Sequence, residues 1–171
     1  ANIIGLGLPE ATNQLFPGID EQKAALFTAS YSAQFRAQDS APCEFFDGVL
    51  ETLSQLRAKG CLLAVATGKS RAGLDRVLSA MNMSTFFDGS RCADETLSKP
   101  NPLMIKELLA ELLVSPDEAV MVGDTEFDLE MAQNAGIRSI AMTYGAHSKK
   151  RLAAFEPMAC LDNFKNIVNY L

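Results

Sequence analysis

Apolar positions along this chain alternate between helical spacing and short unbroken runs. Ala119-Val120-Met121-Val122 is such a run, closed by Gly123, and reads as a strand buried on both faces of a parallel sheet. A helix starts at once. Thr125 is a natural N-cap, Asp128 three positions on can complete a capping box, and Gly136 is a stop signal. Asp124 is thereby placed at the carboxyl end of a strand, where open α/β sheets collect their ligands. The same alternation runs upstream. Val49, Leu50, Leu53 and Leu56 make a helical stripe ended by Gly60, and Cys61 to Ala66 is a buried strand. Thr67-Gly68-Lys69-Ser70 is a turn, and a helix from Arg71 to about Asn82 carries Leu74, Val77, Leu78 and Met81 inward. Phe86-Phe87 is a short apolar element. Asn101 as N-cap and Pro102 at the first helical position start a helix to Leu113. Downstream come a strand at Ser139 to Met142, a helix near Ser148–Phe155, a strand around Met158–Leu161 and a closing helix to Leu171. Strands and helices in alternation predict a three-layer α/β/α sandwich around a parallel, Rossmann-like sheet.

The first forty or so residues follow a different rule. Pro9 can open a short helix through about Phe16, and Pro17-Gly18 breaks it. Asp20 then caps a longer helix reaching roughly Gln38, with Ala24, Phe27, Tyr31 and Phe35 on one face. Asp39-Ser40-Ala41-Pro42 reads as a linker. Residues 1–42 are therefore expected to be a small helical unit and 43–171 the α/β core.

Composition narrows the functional classes. A chain of 171 residues, 48% hydrophobic, supports one well-packed domain with a small appendage. Its net charge of -6 argues against a nucleic-acid or anionic-membrane surface and suits a site that holds a divalent cation. Cys43, Cys61, Cys92 and Cys160 show no CxxC spacing, which points to free thiols in a reducing, cytoplasmic setting. Cys61 to Ala66 is far too short an apolar stretch to span a bilayer. The single histidine, His147, excludes a metal cluster built on several histidines and reads as a loop residue.

Three loops near strand ends or helix starts carry chemistry. The hydroxyl of Thr67 and the backbone N–H of Gly68 can bind phosphate oxygens at a helix start. Lys99 can neutralise charge on a phosphoryl group, and Asp124 can hold Mg²⁺, which takes oxygen ligands and keeps part of its water shell. Each has a plain structural alternative: Thr67 as a helix cap, Lys99 as a solvated loop lysine, Asp124 and Asp128 as helix caps. Their occurrence together, in this order, favours the chemical reading. A nucleotide-binding P-loop at Gly68-Lys69-Ser70 is excluded, because the glycine it needs five residues earlier is Leu63.

Ala66-Thr67-Gly68-Lys69, Ser98-Lys99-Pro100-Asn101-Pro102 and Gly123-Asp124-Thr125-Glu126-Phe127-Asp128 resemble motifs two, three and four of the haloacid dehalogenase-like (HAD) hydrolases. The resemblance is to the phosphoglycolate phosphatase-like branch, whose helical cap is inserted after the first motif, and Gly5-Leu6-Gly7-Leu8-Pro9 is similar to a segment of that cap. It covers essentially the whole chain. The resemblance implies a Mg²⁺-dependent phosphatase that moves the phosphoryl group of a small phosphorylated metabolite onto an aspartate and then hydrolyses the aspartyl phosphate. By that resemblance Thr67 and Gly68 bind phosphoryl oxygens and Lys99 stabilises the nucleophile and the transferring group. Asp124 ligates the metal, and Asp128 supports the metal or the lysine from behind.

One departure stands out. The family's first motif is an Asp-x-Asp pair that supplies the nucleophile and the general acid/base, and no Asp-x-Asp occurs in this chain. Phe45-Phe46-Asp47-Gly48 imitates half of it, with Phe45 where the nucleophile belongs. The chain is therefore expected to be truncated and inactive alone. Its missing first strand would lie between the strands ending at Thr67 and Gly123. Those strands are expected to pair directly, or to self-associate through exposed edges. The alternatives are a non-catalytic binding module with the same fold, or a phosphomutase or dehalogenase of the same superfamily. Arg36, Lys69 and Arg71 are candidates to reach a second anionic group of the substrate, although surface solvation explains each.

Overall fold

A computed structural model describes residues 3–38 and 44–171. The linker read at Asp39 to Pro42 lies outside them. Two helices come first, α1 (Leu8–Leu15) and α2 (Glu21–Gln38), packed on each other. Asp20 opens α2 as expected: its carboxylate accepts the N–H groups of Gln22 at 3.1 Å and Lys23 at 3.2 Å.

The core follows as α3 (Val49–Ala58), β1 (Ala64–Thr67), α4 (Arg71–Ala80), β2 (Gly89–Cys92), α5 (Leu103–Leu112), β3 (Val120–Gly123), α6 (Glu126–Ala135), β4 (Arg138–Met142), α7 (Lys149–Ala153) and β5 (Ala159–Leu161). All strand pairs are parallel. They form a two-stranded sheet, β1-β2, and a three-stranded sheet ordered β3-β4-β5.

Strand periodicity explains the layers. Val120, Val122, Ile140, Met142 and Leu161 point to one face, where Leu56 of α3 and Ile167 of a C-terminal 3-10 turn cover them together with Leu63. The residues between them point to the other face. Met121 and Ala66 meet Met104 and Ile105 of α5 and Met131 and Ala132 of α6, while Ala141 meets Leu129 of α6 and Leu152 next to α7's end. Helices thus cover both faces of β3-β4-β5, and α5 carries one of these layers on to β1 and β2, in keeping with the expected three layers. No helix among the described residues is long and apolar enough to cross a membrane.

Two expectations need correction, and two features were not foreseen. The strands ending at Thr67 and Gly123 do not pair with each other; β1 and β3 belong to separate sheets. Neither is fully buried, because each has a hydrogen-bonded neighbour on one side only, whereas β4, with two neighbours, buries Ser139 through Met142. The strand Gly89–Cys92 was not expected, since Gly-Ser-Arg-Cys carries no apolar run. The aromatic face of α2 is not core: Phe27, Tyr31 and Phe35 are 39%, 49% and 45% exposed, because a two-helix hairpin has no second layer to cover it. A smaller difference lies at the end of the chain, where the closing helix is a 3-10 helix, Phe164–Asn169.

Candidate active site

Gly123 ends β3 and Thr125 caps α6. The capping box is complete: Asp128 N–H donates to Thr125 Oγ1 at 3.3 Å, and Thr125 N–H donates to Asp128 Oδ2 at 3.1 Å. The Thr125 hydroxyl adds a 2.7 Å bond to the same carboxylate oxygen. A Cβ on Gly123 would overlap the Asp128 side chain, so only glycine lets the helix start this close to the strand.

The other oxygen of Asp128 takes Lys99 Nζ at 2.5 Å, with the two side chains 6% and 7% exposed. A buried pair this short needs its remaining valences satisfied, and Thr125 does so on the aspartate side. Asn134 Nδ2 donates to Pro100 O at 3.1 Å and ties the Lys99 loop to α6 a second time. Lys99 is therefore no solvated loop lysine. Asp128, with both oxygens engaged, faces the lysine.

Asp124 is placed differently. Its Oδ2 accepts the N–H of Ala146 at 2.9 Å, and its carbonyl accepts the N–H of His147 at 3.1 Å. Its second carboxylate oxygen has no donor among the described residues. Tyr144, in the same loop, has its phenol pushed above its ordinary pKa by burial first and by the charge of Asp124 second.

Thr67 does not cap α4. That task falls to Ser70, whose Oγ accepts Gly73 N–H at 3.3 Å. Thr67 Oγ1 accepts the N–H of Lys69 at 3.1 Å and keeps its own proton to donate elsewhere.

The three loops come together around the segment Gly5-Leu6-Gly7. Gly7 N–H donates to Ser98 Oγ at 2.9 Å. A Cβ on Gly5 would come within 2.8 Å of Thr125 Oγ1, and one on Gly68 within 2.8 Å of Leu6 O. Sequence reading had not assigned Gly5, Gly7, Ser98 or the Ala146-His147 loop to the site. The only sign of the first was a pair of glycines one residue apart. Of the second, the sign was a lone histidine soon after a strand end.

A cleft of about 220 Å³ opens beside Thr67-Gly68, lined by Leu8, Tyr31 and Phe35 of the hairpin and by Lys69, Ser70 and Arg76 of the core. Lys69 Nζ lies 6.0 Å from the Phe35 ring centre. Arg71 is turned away from this role. Its guanidinium is held by Glu95 at 2.7 and 2.8 Å, Asp75 at 3.3 Å and Ser90 Oγ at 3.0 Å. The side chain of Arg36 lies outside those described. Asp47 is also elsewhere, 87% exposed and 3.2 Å from Lys165.

The parallel α/β sandwich thus brings a buried lysine–aspartate pair and a second carboxylate, Asp124, together beside the end of β3. The chain belongs to the haloacid dehalogenase-like hydrolase family, whose description matches residues 1–142. It is 36% identical over 169 residues to a Dickeya dadantii protein named "Probable phosphatase IndB", covering 96% of this chain and 74% of that protein. It is 29% identical over 157 residues to pyrophosphatase PpaX of Bacillus cereus (91% and 73% covered). A crystal structure of a haloacid dehalogenase-like hydrolase from Bacteroides fragilis superposes with a TM-score of 0.89, covering 96% of this chain and 79% of that one, at 22% identity.

Proposed function

We propose that this chain carries the phosphate- and cation-binding part of a Mg²⁺-dependent phosphatase acting on small phosphate monoesters, with residues 1–42 as a partial cap over a core of 43–171. The observation that supports it is the meeting of three strand-end loops on one segment: Gly5-Leu6-Gly7 touches Gly68, Ser98 and Thr125 together.

Thr67 Oγ and the N–H of Gly68 bind phosphoryl oxygens. Lys99 Nζ spends one of its three N–H donors on Asp128 and offers the others to the phosphoryl group and to the attacking carboxylate. Asp124 holds the cation through the oxygen that has no protein donor, and Asp128 acts through Lys99. The donor set suits a largely hydrated Mg²⁺, since the described residues contain no group of three or more His, Cys, Asp or Glu able to hold a metal. When bound, the ion supplies positive charge opposite the phosphoryl oxygens.

The nucleophile is an aspartate from a segment outside this chain, lying between β1 and β3. Its carboxylate oxygen bonds to phosphorus as the ester oxygen leaves; water then breaks the acyl phosphate, releasing phosphate and restoring the carboxylate. The setting proposed is the cytoplasm, in keeping with the free thiols of Cys61, Cys92 and Cys160. Without that segment, the open edges of β1 and β3 can self-associate.

The test is turnover of an aryl phosphate by this chain with Mg²⁺, beside equilibrium binding of inorganic phosphate. No turnover is expected, with phosphate binding weakened at least tenfold by Lys99→Met. Turnover abolished by Asp124→Asn would overturn the placement of the nucleophile. Phosphate binding indifferent to Lys99 would overturn the site.

A further inference from the structure

The loop after β4 grips Asp124 by three consecutive residues. A Cβ on Gly145 would overlap the Asp124 carboxylate, Ala146 N–H donates to Asp124 Oδ2 at 2.9 Å, and His147 N–H donates to the Asp124 carbonyl at 3.1 Å. The His147 ring is 5% exposed and reaches past Asp124 to the start of α6, where its Nδ1 accepts the N–H of Glu126 at 2.9 Å. That N–H is one of the helix's first-turn donors without an intrahelical acceptor. Because Nδ1 accepts, the ring N–H is Nε2, which is buried with no partner among the described residues. The ring lies edge-on to Phe127 at 6.0 Å between centres. The same turn is held once more by Arg151, bidentate on Glu126 at 2.8 and 2.6 Å.

We infer that His147 is a positioning residue: its Nδ1 locks the Tyr144–Ser148 loop onto the N-terminus of α6. The locked loop fixes the carboxylate of Asp124 with one oxygen tied down and the other presented to the cation. The Nδ1 acceptor makes the ring's only hydrogen bond among the described residues. The inference rests on the proposed role of Asp124 as cation ligand, and it deepens that role by naming what holds the ligand still.

The acceptor can be swapped without the ring. In Asn the side-chain oxygen falls near the place of Nδ1, whereas Gln extends its oxygen beyond it and Phe has none. The experiment measures amide hydrogen exchange at Ala146 and Glu126, and Mn²⁺ affinity by electron paramagnetic resonance, on the full chain and on His147→Phe, His147→Gln and His147→Asn. Exchange at both amides should speed up about tenfold in the Phe and Gln variants. Mn²⁺ affinity should fall by about the same factor, in the range found when a group behind a metal ligand is lost. The Asn variant should stay within about twofold of the parent in both. Should the Phe variant not fold, the Gln–Asn contrast carries the test. Equal amide protection in all variants, or an Asn variant as loose as Gln, overturns the inference. Mn²⁺ binding that ignores Asp124→Asn overturns the cation role, while the amide exchange still decides the locking.

Discussion

The two halves of the sheet are held by different means. In the β3-β4-β5 half, Ile140, Ala141, Leu129, Met131 and Leu152 are wholly buried, and among the described residues the only buried charges are the paired Lys99 and Asp128. The β1-β2 half has few such residues. Arginines hold its rim instead: Arg57 on Asp88, Arg71 on Glu95 and Asp75, Arg91 on Glu107 and Glu111. A two-stranded sheet with both outer edges unpaired among the described residues cannot enclose a core of its own, and it shares α5 with the other half. The packed half carries Asp124, Thr125 and Asp128 of the candidate site, and the ion-paired half carries Thr67 and Gly68.

The comparison is tested hardest at Asp128. Asp128→Ala strands the charge of Lys99 in the interior and removes half of the α6 capping box, and should cost about 3–5 kcal/mol in urea unfolding. Asp124→Asn, only four residues before Asp128 but outside the buried pair, should cost less than about 1 kcal/mol while removing cation binding. Equal losses would mean that the two carboxylates share one role.

Next in size is a pair of core deletions. Ile140→Ala, at the centre of β4, should cost about 2–5 kcal/mol, because the cavity it leaves is closed on all sides. Val65→Ala in half-buried β1 should cost about 1 kcal/mol, since solvent already reaches its surroundings. A Val65→Ala loss as large as that at Ile140 would show that the β1-β2 half has a closed core after all.

The same division governs what the sequence revealed. The α6 capping box, the αL stop at Gly136 (φ 73°) and the Asp20 cap were legible because each depends on neighbours a few residues apart. The strand Gly89–Cys92 was not, because its side chains serve the rim: Ser90 accepts from Arg71, and Arg91 reaches Glu107. Nor was His147, whose meaning depends on Glu126, 21 residues earlier in the chain. The aromatic face of α2 was legible as a pattern, but pattern alone could not say whether anything covers it. Motif resemblance picked out Thr67, Lys99, Asp124 and Asp128; three-dimensional contact shows that Asp128 is the carboxylate that holds the lysine, while Asp124 takes the Ala146 N–H.

The smallest expected effect lies in the ion-paired half and is read through pH. Arg71 holds Glu95 well below the ordinary carboxylate range, at about 2, mainly through their hydrogen bonds, while Glu95 also accepts the N–H of Cys92 at 2.9 Å. A depressed carboxylate contributes stability that is fully present above its unfolded pKa, near 4.5, and is lost as pH falls toward 2. Both partners are about one-third exposed, so solvent screening limits the contribution to roughly 1 kcal/mol or less. Glu95→Gln should therefore lower the melting temperature by a few degrees at pH 7, and the gap to the parent should narrow steadily from pH 5 to pH 2.5. Using the difference between the two proteins removes the titration of every other carboxylate. Added salt at pH 7 should narrow the same gap. A gap that stays constant with both pH and salt would mean that Glu95 acts through packing, and that the β1-β2 rim is not held by charge.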